Sequence, residues 1–129
     1  MNARFPKSER LQKKKEFQRV FDGGRKFRNN ELLVYAMPNG RDKSCLGLVV
    51  GKKVGNAVKR NRIKRILREA FRLNKELLGF GVDLILIPRP GLTSPKLSTI
   101  EDGFKRLLSR ISVELNSTVC HPERRDWVK

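Results

Sequence analysis

The chain has 129 residues, 38% of them hydrophobic, and 30 Lys plus Arg against 13 Asp plus Glu, a formal net charge of +17. That length suits one domain with a modest core, and periodic apolar runs exclude full disorder. A basic excess of this size is the footprint of a polyanion partner, and no apolar window of about 18 residues suggests a membrane span.

The first ten residues are charged and lack the apolar region of a secretory signal. A helix is predicted over 8–21, with Ser8 as N-cap and Leu11, Phe17, Val20 and Phe21 on its apolar side. Gly23 and Gly24 stop it. Residues 25–28 read as a short strand and Asn29-Asn30 as a turn. Strands follow at 32–37 and 45–50, separated by a turn at Pro38-Asn39-Gly40. In the second, Leu46, Leu48 and Val50 share one face, suited to a helix layer. Gly47, Val49 and Gly51 share the other and leave a shallow floor on which a ligand can approach the backbone.

The most informative stretch is Gly55-Asn56-Ala57-Val58-Lys59-Arg60-Asn61-Arg62-Ile63-Lys64-Arg65-Ile66-Leu67-Arg68-Glu69-Ala70-Phe71-Arg72. At 100° per residue, Ile63, Ile66, Leu67, Ala70 and Phe71 form one face, and Asn61, Arg65, Arg68 and Arg72 lie almost opposite. One face can enter a core while the other presents a row of guanidiniums, whose planar forks suit phosphate. A solvated basic face usually alternates signs, yet Glu69 is the one acid between Lys59 and Arg72. Lys59, Arg60, Arg62 and Lys64 flank the row. Lys52, Lys53 and Asn56 sit beside the helix N-terminus, where backbone N–H groups attract anions. No Gly-Lys-Ser/Thr triplet completes a phosphate loop, so nucleotide hydrolysis is not indicated. Asn56 caps the helix, which ends between Leu73 and Leu78, before Gly79.

Residues 82–87 form the clearest buried strand, broken by Pro88 and Pro90-Gly91. A long amphipathic helix follows, with Ser98 and Glu101 as a capping box and Leu97, Ile100, Phe104, Leu107, Leu108, Ile111 and Leu115 at helical spacing. Residues 116–129 read as a polar, loose tail after a single domain over 1–115. The order predicts an α+β sandwich, about four strands packed with three helices, whose strand–helix–strand unit crosses over right-handedly by default.

Phe17, Phe21 and Tyr35 are candidates for stacking on single-stranded bases, with Lys13 and Lys14 beside them. Spacing alone favours plain core packing for the two phenylalanines, and the Tyr35 hydroxyl favours an edge or cleft. Acid–base chemistry is missing: His121 lies in the tail, and no acid pair sits in an apolar setting. Cys45 reads as a small buried group, Cys120-His121 as unrelated tail residues with no completed metal set, and the unpaired cysteines suit a reducing cytosol.

The segment from Lys52-Lys53-Val54-Gly55-Asn56 through Arg60-Asn61-Arg62 to Arg68-Glu69-Ala70-Phe71-Arg72 resembles the protein subunit of bacterial ribonuclease P. The run from Arg10-Leu11 to Glu16-Phe17-Gln18-Arg19-Val20-Phe21-Asp22-Gly23-Gly24, with Leu33-Val34-Tyr35 and Asp83-Leu84-Ile85, also resembles that family, and the likeness covers 7–115. The resemblance implies a left-handed crossover against the default hand. It implies a large catalytic RNA as partner and precursor tRNA as substrate, with no membrane and no small-molecule substrate. The reaction is hydrolytic release of the 5′ leader by a cytoplasmic endonuclease whose magnesium is held mainly by the RNA. It makes Lys53, Asn56, Arg60, Asn61, Arg62, Lys64, Arg65 and Arg68 contacts to the RNA subunit or organisers of ions near the active site, and it lifts Phe17, Phe21 and Tyr35 into a leader-binding cleft. The alternatives are a general or ribosomal RNA-binding protein and a protein-only nuclease.

Overall fold

The computed structural model describes residues 10–11, 13–41, 43–89 and 97–119. Helix α1 spans Lys14–Gly23, strand β1 Arg25–Arg28, β2 Leu32–Pro38 and β3 Cys45–Leu48. A 3₁₀ turn at Lys52–Val54 leads into α2, Ala57–Asn74, and a second at Lys75–Leu78 leads to β4, Val82–Pro88. Helix α3 is Leu97–Val119. The architecture is the predicted four strands and three helices, in sheet order β1-β2-β4-β3.

Strand alternation divides the sheet into two faces. Leu32, Val34 and Ala36 of β2, Leu46 of β3 and Leu84 and Leu86 of β4 enter one core with Ile63, Leu67 and Phe71 of α2 and Phe104, Leu108 and Ile111 of α3. The opposite face carries Tyr35, Met37, Cys45, Ile85 and Ile87, packed with Leu11, Phe17, Val20 and Phe21. Among the described residues, α1 and Leu11 cover that second face, and Val20 is the one buried residue of α1.

Strands β3 and β4 run parallel, joined through α2. Viewed from α2 with both strands upward, an L-residue facing the viewer points its N–H and C=O to the right. Leu46 faces α2, and its carbonyl accepts from the Leu11 N–H (3.0 Å) on the outer edge. Val49, facing away, donates its N–H to Leu86 O (3.0 Å). Strand β4 therefore lies to the left of β3, and the crossover is left-handed. The default right-handed hand is corrected: on that hand β4 would occupy the side where Arg10 and Leu11 pair with Leu46.

That pairing also corrects the start of the first helix. Arg10 forms a parallel bridge to Leu46, so the chain is still extended there. Lys13 is the N-cap, and its N–H donates to Glu16 Oε1 (3.1 Å). Ser8, the expected cap, lies outside the described residues. At the other end of the chain Leu97 is already helical, so Ser98 falls inside α3 rather than at its cap. Glu101 instead accepts from Asn74 Nδ2 of α2 (2.7 Å). Helix α3 continues to Val119, past the start of the expected tail; Cys120 and His121 lie outside the described residues. Asn56 caps α2 as expected, accepting the Lys59 N–H (2.9 Å), and Gly79 closes the following turn at φ +77.

One acid fastens α1 to the sheet. Asp83 of β4 is 1% exposed, and its carboxylate accepts from Arg19 of α1 and from Asn39 Nδ2 (2.9 Å), with Arg41 Nη2 at 3.7 Å. Arg19→Ala removes a charged donor from a buried carboxylate and is expected to lower the unfolding free energy by about 1.5–3 kcal/mol, read by urea denaturation. An unchanged midpoint would remove Arg19 from the interactions that hold α1 down.

Candidate nucleic-acid interface

The basic surface follows from the way α2 packs. Ile63, Leu67, Ala70 and Phe71 are buried against the sheet, so residues on the opposite side of the helix face water. Asn61, Arg62, Arg65 and Arg68 are exposed there. Lys59, Arg60 and Lys64 are half-buried at the flanks, and Lys52, Lys53 and Asn56 are exposed at the helix entrance. The predicted ridge thus exists as a contiguous helical face, with two members bound inward.

Arg60 donates through Nη1 to the Gly55 carbonyl (2.9 Å), so it braces the turn that enters α2. Gly55 has φ +158, and a Cβ there would meet Lys59 Cδ at 2.5 Å. Arg72 forms a fork with Glu69: Nε to Oε1 at 3.0 Å and Nη2 to Oε2 at 2.6 Å. The hydrogen bond to Arg72 holds the Glu69 carboxyl below its ordinary range, and the same bond raises the guanidinium. Arg72 is therefore neutralised in place, and the unpaired row narrows to Asn61, Arg65 and Arg68.

Arg68 sits in the opposite situation. Partial burial pushes its guanidinium below the usual value, and the cationic neighbours Arg10 and Arg65 push it further the same way. Arg10 has no place in the sequence-predicted set. It reaches the ridge because its backbone pairs with β3, a long-range contact with no local signature.

The aromatic candidates gather on the other face of the sheet. Phe17, Phe21 and Tyr35 are each half-buried, neither sealed in the core nor fully in water. Phe21 and Tyr35 meet edge to face, with ring centroids 5.0 Å apart and planes at 73°. Phe17 lies on Gly47: a Cβ at that glycine would stand 2.7 Å from Phe17 Cε2. Strand β3 ends at Leu48 rather than at residue 50, so of the expected glycine floor only Gly47 lies in the strand, and a phenylalanine ring already rests on it. Lys13 and Lys14 are exposed at the α1 entrance, Lys13 also serving as its cap.

Cys45 is buried, and desolvation raises its thiol above the ordinary value. Among the described residues, no three His, Cys, Asp or Glu side chains gather where a metal ion could be held, and no helix is long and apolar enough to cross a membrane.

The family model described as Ribonuclease P matches residues 5–112 of the chain. The chain belongs to the ribonuclease P protein family. The ribonuclease P protein component of Brevibacillus brevis is 37% identical over 121 residues, covering 93% of this chain and 95% of the relative. That of Pseudomonas putida is 40% identical over 114 residues, covering 87% and 85%. The solved ribonuclease P protein from Thermotoga maritima superposes with a TM-score of 0.74 at 37% identity, covering 80% of this chain and 97% of that one. The Staphylococcus aureus ribonuclease P protein gives 0.71 at 35% identity, covering 79% and 94%. The ridge and the aromatic face described above are thus surfaces of a ribonuclease P protein component.

The seating of Phe17 on Gly47 is directly testable. Gly47→Ala forces a methyl against the ring and is expected to cost about 1–3 kcal/mol of stability, read as a lowered urea midpoint. A midpoint equal to or above that of the parent would mean that the ring does not rest there.

Proposed function

We propose that this chain is the protein subunit that binds a catalytic RNA and grips the single-stranded 5′ leader of precursor tRNA, so that the assembled endonuclease removes the leader. The reading is carried by one observation: an exposed arginine row on α2 and a half-buried aromatic group under α1 are two different surfaces of one small molecule. A row of forks serves a phosphate backbone, whereas rings at the surface of a groove serve unpaired bases. Family membership supplies the RNA partner.

The chemistry assigned to this chain is positioning. Arg62, Arg65 and Arg68 neutralise phosphates of the RNA subunit and the Asn61 amide donates beside them, with Lys52, Lys53, Asn56, Lys59 and Lys64 at the margins. Phe17, Phe21 and Tyr35 hold leader bases, each stacked base contributing about 1–3 kcal/mol. Holding the leader raises the occupancy of the scissile bond at the reactive centre without altering bond chemistry. Magnesium is proposed as a ligand of the RNA. The work of such a subunit is done in the cytoplasm, where precursor tRNA is made.

Reconstitution tests the reading. The purified protein mixed with its RNA subunit at near-physiological magnesium is expected to restore leader removal, and neither component alone is expected to match it. Cleavage by the protein alone would indicate a protein-only nuclease; RNA binding without stimulation would indicate a general RNA-binding protein.

The fork between Glu69 and Arg72 makes a second, sharper expectation. Arg65→Ala should reduce the slope of log affinity for the RNA subunit against log salt by about one unit. Arg72→Ala should change it far less, because that charge is already compensated. Equal reductions would mean that Arg72 leaves Glu69 on binding, and an unchanged slope for Arg65→Ala would count against a phosphate contact.

A further inference from the structure

The turn between β1 and β2 and the first half of α3 border a cavity of about 310 Å³. Asn29 and Glu31 reach it from the turn, and Thr99, Asp102, Gly103 and Arg106 line it from one side of α3. None of its lining residues belongs to α1 or α2. Its volume falls at the lower end of the ~300–1,000 Å³ range of ligand sites, but such sites are mostly apolar, and here every side chain is polar. The ligand that fits is small and carries donors and acceptors along its edges.

Two of the groups are oriented by the backbone. Asn29 Oδ1 accepts the N–H of Glu31 and the N–H of Leu32, both at 2.8 Å, which fixes the amide and leaves Nδ2 as its free end. The turn itself is pinned: Arg89 donates its N–H to the Glu31 carbonyl (2.9 Å) and its Nη1 to the Asn29 carbonyl (3.3 Å). Gly103 lets both side chains come up to α3, since a Cβ there would stand 2.8 Å from Asn29 Nδ2 and 3.0 Å from Glu31 Oε1. An amide donor and a carboxylate therefore lie side by side against the helix. Among the described residues neither Nδ2 nor that carboxylate has a hydrogen-bond partner, and no ion pair engages Asp102 or Arg106.

We propose that this cavity binds a guanine base, as a free nucleotide or as an unpaired residue of an RNA, with Glu31 and Asn29 reading its Watson–Crick edge. The inference stands apart from the function proposed above, because it uses neither the α2 ridge nor the aromatic face.

An ionised carboxylate only accepts, through two oxygens. Of the four RNA bases, guanine alone sets two N–H donors side by side, at N1 and N2, with the O6 acceptor next in line. Glu31 takes the two donors, and Asn29 Nδ2 gives to O6. Adenine and cytosine offer an amino group beside an acceptor nitrogen, and uracil offers one N–H flanked by two carbonyls. Each of these sets a lone pair against the carboxylate. A bare cation would satisfy the acids but leave the Asn29 donor unmet, and it would face the Arg106 guanidinium. That guanidinium offers a plane on which a base stacks, and the Asp102 carboxylate accepts ribose hydroxyls. The base must be unpaired, because in a duplex the partner strand occupies the same edge.

The test titrates the full-length, isotope-labelled protein with guanosine, inosine and adenosine and reads amide chemical shifts by NMR. Uncharged nucleosides are used so that no phosphate draws the probe to the basic ridge. Guanosine is expected to shift the Gly103 backbone amide and the Asn29 side-chain amide. Inosine lacks the N2 amino group and is expected to bind about tenfold more weakly, with adenosine weaker still. Glu31→Gln keeps the side-chain shape and loses no protein partner. It is expected to leave the urea midpoint unchanged while removing the preference for guanosine over inosine. Equal binding of guanosine and adenosine, shifts that miss Gly103 and Asn29, or a preference that survives Glu31→Gln would each overturn the site.

A short strand of adenosine and uridine with one guanosine, compared with the same strand carrying inosine there, separates the sources. A preference for guanosine within the strand assigns the cavity to RNA. A preference seen with the free nucleoside and absent from the strand assigns it to a free guanine nucleotide.

Discussion

A single carboxylate decides how the second face of this sheet is covered. Asp83 sits on β4 between β2 and β3, buried, and receives Arg19 from α1 together with Asn39 and Arg41 from the loop before β3. A carboxylate in that position is tolerable only when its oxygens are occupied by donors, and the donors come from two separate segments. Helix α1 has one buried residue, Val20, so apolar contact alone gives it little purchase. The Asp83 bond sets where the helix lies, and through it where Phe17 and Phe21 stand.

The two sheet faces are covered unequally. Helices α2 and α3 seal one face with a continuous apolar core. Helix α1 is 10 residues long and cannot cover four strands. Its neighbours Tyr35, Met37 and Ile87 are left half-buried. A longer or better buried α1 would complete a conventional sandwich and seal Phe21 and Tyr35 from water. The left-handed connection through α2 matters in the same way. It leaves β3 as an edge strand whose outer side is taken by Arg10 and Leu11, which brings a cation and an apolar side chain to the point where the two faces meet.

What was legible in the sequence was what local periodicity encodes. The buried stripe of α2, its Asn56 cap, Gly47 in the floor of β3 and the strands all follow from spacing and turn chemistry. The misplaced start of α1 has a long-range cause: pairing of Arg10 with Leu46, 36 positions away, holds the chain extended where its pattern suits a helix. The same contact hid Arg10 from the candidate site. The role of Asp83 has no local signature because its partner Arg19 is 64 positions distant. Arg72 is a different case. Its partner Glu69 is only three residues away, and the pair was visible, but face-averaging placed Arg72 with the unpaired row. The hand of the crossover lay outside periodicity altogether and entered only through family resemblance.

Helix α2 is electrostatically a poor helix by itself. No acid lies in its first turn, where the macrodipole favours negative charge, and lysines occupy the approach. Its exposed side places Arg65 and Arg68 one turn apart, a spacing at which like charges repel. The helix persists because Ile63, Leu67, Ala70 and Phe71 are fully buried beneath it. The core thus carries the cost of assembling a positive field in advance. Flexible basic segments reach phosphates too, but must lose conformational freedom on binding. Here the apolar underside has already fixed the backbone, so contact with a polyanion releases stored repulsion while ordering little more than side chains. A core built to hold an unfavourable surface is a physical reason for a small basic protein to fold at all before it meets its RNA.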